Sequence, residues 1–415
     1  MDAAVRLSGG RYAPRAMRRS RTLLVVVLAL SAAVAAACGG RTDDLRNDAD
    51  RPAIGAGADQ SDAAGNLGFP AFATKNTTRV GGADPVADAA AVAQAVYPAT
   101  SRRNRRPVVA LVDARDWRAG IAAAVLAAPP FRAPILLSNG QDLPVATRDA
   151  LRALRPLGSR QAGGAQVIRV GDVPAPAGLR ATAVTGRDPF ALAQAIDGFT
   201  GAARGESTER VVIASADDPG YAMPAAAWAA KSGDPILFVN RNALPAATRA
   251  ALESRRKPSI YLVGPPETIS KRVEKALGRL GKVTRIGSGD AVRSSIDFAR
   301  YLDDDFGWGV IDPGHGLVFA RADRPLDAAA AAPLSASGTY GPLILLSDAD
   351  RLDDPTNDYL LDIQPGYRTD PVRGVYNHGW IIGDDKSISV GVQAQIDSLL
   401  EITRENRRAP SGSRS

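Results

Sequence analysis

The chain has 415 residues, of which 45% are hydrophobic, enough apolar material to bury several cores. A net charge of +7 and a pI near 9.7 raise the question of a nucleic-acid partner. However, six of the 51 basic residues and one of the 44 acidic residues fall in the first 37 positions, so the remainder carries only about +2 and its overall field gives no case for DNA or RNA.

Residues 1–37 read as a secretory leader, with a basic segment ending Arg18-Arg19-Ser20-Arg21 and an apolar core from Leu23 to Ala37. That core is shorter than the roughly 20 residues of a membrane-crossing helix. The run Ala35-Ala36-Ala37-Cys38-Gly39 resembles the lipobox of bacterial lipoproteins, with Ala35 where leucine is usual. Cys38 is the only cysteine, so it has no internal disulfide partner and is the expected lipidation site. Two or more acyl chains there would anchor the protein stably to a membrane. The alternative is an ordinary signal peptide with an incidental cysteine. Residues 38–74 are rich in Gly, Ala, Asp and Arg without apolar periodicity and read as a flexible linker.

Three segments then repeat one plan at a spacing of about 100 residues: module 1 over 75–176, module 2 over 177–281 and module 3 over 282–402. Each opens with a short strand and a glycine turn (Arg79-Val80-Gly81-Gly82; Ala183-Val184-Thr185-Gly186; Arg285-Ile286-Gly287-Ser288) before a helix. An apolar run follows (Val108–Val112, Val211–Ala214, Leu317–Ala320), then a charged turn, an alanine-rich helix, and a second apolar run (Pro134–Leu137, Pro235–Phe238, Pro342–Leu346). A last strand ends in glycine at Gly171, Gly264 and Gly383. Short, wholly apolar strands alternating with helices predict parallel sheets covered on both faces. Module 3 carries a longer polar insertion, Asp362 to His378, and residues 403–415 read as a disordered tail.

With these residues aligned, the modules resemble the cell wall binding repeat 2 family over about Lys75 to Ile402. The resemblance is carried by Arg79-Val80-Gly81-Gly82-Ala83-Asp84, Arg285-Ile286-Gly287-Ser288-Gly289-Asp290, the pair Gly186 and Asp188, the Pro-Ile-Leu-Leu type strands and the strand-end glycines. The family's Arg-Tyr pair is replaced by Pro85-Val86, Pro189-Phe190 and Ala291-Val292. The resemblance implies an α/β fold of three homologous flavodoxin-like, Rossmann-like modules with parallel sheets in a pseudo-threefold arrangement. It further implies non-covalent attachment to an anionic cell-wall polymer in the envelope, facing the wall.

Catalytic signals are sparse. The two histidines, His315 and His378, lie in no metal-ligand spacing and beside no nucleophile motif, so no metal, no cofactor and no triad are expected. Acidic turns at Asp113/Asp116, Asp217/Asp218 and Asp323/Asp327 fall at strand C-termini, where open α/β sheets bind ligands. Such carboxylates could work as acid and base, but they also cap the helices that follow. Arg79, Arg115, Arg118, Arg187, Arg321 and Arg324 are the candidate polymer contacts, since guanidinium forks match phosphate and carboxylate oxygens. Trp117, Tyr221, Trp308 and Tyr376 are candidate sugar-stacking rings, while Trp228 sits in an alanine helix and reads as core. The resulting expectation is a lipid-anchored envelope protein that is not an enzyme and binds a wall polymer through three modules. The alternatives are an exported hydrolase or transferase using the strand-end carboxylates, and an envelope scaffold or solute-binding lipoprotein without polymer affinity.

Overall fold

A computed structural model describes residues 71–404 apart from 141, 305 and 338–340. The leader, Cys38 and most of the stretch read as linker lie outside the described residues, as do residues 405–415 of the tail. Ala71–Ala73 nevertheless form a strand, β1, antiparallel to β2 (Thr77–Val80).

Among the described residues, three larger sheets repeat one strand order. The first runs β4 (Ile135–Ser138), β3 (Val109–Asp113), β5 (Val167–Val170), β6 (Ala181–Val184). The second runs β8 (Ile236–Val239), β7 (Arg210–Ser215), β9 (Ser259–Val263), β10 (Lys282–Ile286). After a short antiparallel pair, β11 (Leu302–Asp303) and β12 (Phe306–Gly307), come the strands of the third sheet: β13 (Gly316–Arg321), β14 (Leu343–Leu346) and β16 (His378–Ile382). Its order is β14, β13, β16, β2, β1. The pairings are parallel except at β1, and β3, β8 and β14 are buried at every position, as wholly apolar runs require. Between β14 and β16 lies β15 (Gly366–Tyr367), within the polar insertion, and it pairs with β17 (Thr403–Arg404).

The sequence repeat and the sheets are offset by one strand. β6, which opens the second repeat, pairs with β5 of the first sheet; β10 pairs with β9 of the second; and β2, which opens the first repeat, pairs with β16 of the third. The helix after each opening strand packs in the other direction. Thus α1 (Pro85–Val96) lies on β4, α4 (Pro189–Arg204) on β8 and α8 (Ala291–Arg300) on β14. Each strand–helix step therefore ties one sheet to the next, and the first step closes the third sheet. The three opening aspartates cap these helices: Asp84 accepts from Val86 and Ala87 N–H (both 2.9 Å), Asp188 from Ala191 N–H (2.7 Å) and Asp290 from Arg293 N–H (2.8 Å).

The alanine-rich helices α2 (Trp117–Ala123), α5 (Pro219–Ser232) and α9 (Pro325–Ala336) pack against one another. Their methyl side chains lose no rotamer freedom on burial and let the backbones approach closely. Trp228 is buried as read, and its Nε1 donates to Asp234 Oδ2 at 2.9 Å. Trp308 packs edge-on against it at 5.6 Å and is 9% exposed, so the expectation of a sugar-stacking ring there is corrected: the indole belongs to the core.

Candidate functional site

Backbone geometry places three turns side by side at the C-terminal edge of the third sheet, after β2, β13 and β16. Between them lies a cleft of about 400 Å³ lined by Ala83 from the first turn, Arg321, Asp323 and Arg324 from the second, and Asp384, Lys386 and Ser387 from the third. Arg321 pairs with Asp323 (2.8 Å) and donates to the Ser387 carbonyl (3.3 Å), while its buried Nε has no hydrogen-bond partner among the described residues. Arg324 turns inward. Its Nε donates to Asp327 Oδ2 at 2.7 Å and its Nη2 to Asp88 Oδ2 at 2.8 Å, both carboxyls being fully buried.

Burial, then the charge of Asp327, pushes the Asp88 carboxyl up to about 8 against the restraint of Gly82 N–H and Arg324. Asp327 is also raised, chiefly by burial. Both carboxyls accept from the one Arg324 guanidinium, and a proton held by the pair leaves one negative charge to balance it. Asp384 moves the other way. Burial raises it, but the Ser387 hydroxyl and N–H hold it below the usual carboxylate range. The rim of the cleft thus offers Arg321 and Lys386 beside Asp323 and Asp384, a mixed surface with room for an anionic group.

Of the six arginines singled out, the structure brings Arg321 and Arg324 together and disperses the rest. Arg115 stands at the corresponding edge of the first sheet, paired with Asp113 (2.7 Å) and Asp172 (3.4 Å) and half exposed. Arg118 lies over the Trp117 ring (4.4 Å) and donates to the Ala216 carbonyl (2.7 Å), which joins the first repeat to the second. Arg187 is exposed beside Asp188. Arg79 is a correction. It is 9% exposed, and its guanidinium is spent on Gln393 Oε1 (2.9 Å) and the carbonyls of Gly383 (3.1 Å), Asp384 (2.6 Å) and Ile388 (2.6 Å). Arg285 does the same in the second sheet, reaching the carbonyls of Gly264 (2.7 Å) and Ile269 (2.8 Å) and the Glu274 carboxylate (2.6 Å). Both hold the turn after a neighbouring strand and are unavailable to a ligand.

The strand-end carboxylates are used locally. Asp113 accepts from Arg115, Asp116 caps α2 through Arg118 N–H (3.0 Å), and Asp217 binds Asn240 Nδ2 (2.9 Å) and Arg241 N–H (2.8 Å). Reading the sequence alone missed Asp88, Asp384, Lys386 and Ser387. The last three directly follow the strand-end Gly383, which marks the same edge in every sheet.

Fold and edge cleft define a class, tandem parallel α/β modules with a cleft at the strand ends of the third sheet. Residues 184–274 match the model of the family described as Cell wall binding domain 2 (CWB2), which supports a cell-wall-associated protein. The match begins at Val184, the last residue of β6, so the family's unit follows the sequence repeat and not the sheet. The fold is similar to that of Cwp8 from Clostridium difficile (TM-score 0.60, 19% identity, 79% of this chain and 52% of that one). It is similar also to Cwp6 from Clostridium difficile (TM-score 0.64, 18% identity, 80% and 49%). In sequence the chain is 24% identical over 243 residues to N-acetylmuramoyl-L-alanine amidase LytC of Bacillus subtilis (strain 168), covering 56% of this chain and 44% of the amidase. It therefore spans about half the length of these relatives. The amidase relative overturns the expectation that the protein is not an enzyme, because a chain sharing this region is a named hydrolase.

Proposed function

We propose that this protein attaches non-covalently to an anionic cell-wall polymer through its α/β modules, arranged about a pseudo-threefold axis, while Cys38 carries a lipid anchor in the membrane. The observation that carries the reading is the third sheet's edge cleft, where Arg321 and Lys386 line space at the ligand-binding edge of a parallel sheet. The CWB2 match over residues 184–274 supports the class of partner. Arg115 at the matching edge of the first sheet offers a second contact, and linked sites of modest affinity combine into useful avidity. The test is co-sedimentation of the protein with cell walls before and after chemical removal of their anionic polymer. Binding that disappears with the polymer supports the reading; equal binding to both walls, or to neither, rejects it. Replacing Cys38 with Ser should release the protein from membranes, and retention would reject the anchor.

A second reading, hydrolysis of an envelope substrate, is favoured by the similarity to an amidase. Release of soluble fragments from purified peptidoglycan by the full chain would establish it.

A further inference from the structure

The first sheet departs from the other two at one place. In the second, an 18-residue connection from β9 to β10 contains the helix α7 (Lys271–Leu277), and in the third, α11 (Val390–Leu400) follows β16 and packs on α10 (Asp354–Asp362). In the first sheet the connection from β5 to β6 has only 10 residues and no α-helix. Consistently, Arg79 and Arg285, which hold the longer connections, correspond to Ala183 in β6. The uncovered face of α3 (Val145–Leu154) borders a cavity of about 460 Å³ whose floor includes Leu143, Leu151 and Leu179.

Arginines surround this apolar floor. Arg148 donates to the Leu143 carbonyl (3.2 Å), Arg105 to the Arg155 carbonyl (2.5 Å) and Arg155 to the Ala99 carbonyl (2.6 Å). None of the three pairs with a carboxylate among the described residues; only Arg152 on the same rim does, with Asp149 at 3.1 Å. Three like charges around one cavity repel one another, and an anion bearing two negative charges relieves that repulsion. Guanidinium forks suit phosphate oxygens, and the leucine floor would bury apolar surface that a bare ion does not have.

We propose that this cavity binds a phosphomonoester carried on an apolar group, at a site separate from the strand-end cleft. The test is calorimetric titration of the full chain with dihexanoylphosphatidic acid below its micelle concentration, with inorganic phosphate, and with dihexanoylphosphatidylcholine. The phosphatidic acid should bind, phosphate should bind at least tenfold more weakly, and the zwitterionic lipid should not bind. Arg148→Gln and Arg105→Gln should each weaken phosphatidic acid binding about tenfold, the scale of one charge-assisted hydrogen bond. Arg321→Gln, in the other cleft, should leave it unchanged. Unaltered thermal unfolding of the variants would show that the loss is local. Absence of phosphatidic acid binding, equal binding of inorganic phosphate, or full affinity in the arginine variants would overturn the proposal.

Discussion

Arg324 Nη2 donates to Asp88 Oδ2 at 2.8 Å across 236 residues of sequence, linking α1 to the turn before α9. Gly82 N–H donates to the other oxygen of Asp88 at 2.6 Å, so the opening glycine turn is held by the same carboxyl. A Cβ at Gly81, whose φ is +147°, would lie 2.4 Å from Asp88 Oδ1 and 2.7 Å from Gly383 N, which explains why that position is glycine.

The buried carboxyls set a pH dependence. Asp88 is raised from 3.8 to about 8, so the folded chain holds a proton there that the unfolded chain has released. Stability from this group is complete below about pH 4 and is lost as pH rises through about 8. Asp327 shifts in the same direction. Asp88→Asn, which mimics the protonated acid, should reduce the fall in thermal midpoint between pH 5 and pH 9; an unchanged difference would reject the shared-proton arrangement.

Removing the Arg79 side chain should destabilise the protein. Arg79→Met leaves three carbonyls and the Gln393 amide oxygen without their donor, at a cost of about 3 kcal/mol or more in urea unfolding. Arg285→Met should behave similarly. A loss below about 0.5 kcal/mol would mean that water replaces the guanidinium, the usual outcome at exposed positions.

In the cleft, Arg321→Gln combined with Lys386→Gln should weaken co-sedimentation with cell walls severalfold and flatten its salt dependence, because exposed charge contacts are screened. Binding as strong and as salt-sensitive as that of the unaltered protein would locate the contact elsewhere.

Trp228→Phe should cost about 2 kcal/mol. The change removes the donor to Asp234 Oδ2 and leaves that fully buried carboxylate with Arg210 at 3.2 Å. Chemical unfolding followed by circular dichroism would measure it, and a neutral result would show that Arg210 alone satisfies the charge.

Much of the fold was legible because strands such as β3, β8 and β14 are built on apolar runs and aspartates cap the helices after its opening strands, both local signals. Asp84, Asp188 and Asp290 sit at matching positions and cap matching helices, and Trp228 falls in the core as its alanine surroundings imply. The candidate site was legible only in part. Arg321 and Arg324 share a cleft, yet Arg324 faces two buried carboxyls and Arg79 faces carbonyls more than 300 residues away. Charge and position along a strand do not reveal which way a long side chain turns.

By itself, the sequence determined the period of about 100 residues, the strand and helix character of each segment and the resemblance to a cell-wall binding family, since propensity, capping and periodicity act over a few residues. Tertiary structure alone decided that each opening strand joins its neighbour's sheet, that β2 closes on β16, and that the short β5–β6 connection leaves α3 uncovered. Those outcomes depend on which edge offers unpaired N–H and C=O groups once the chain has collapsed, and on which side chains then find partners distant in sequence.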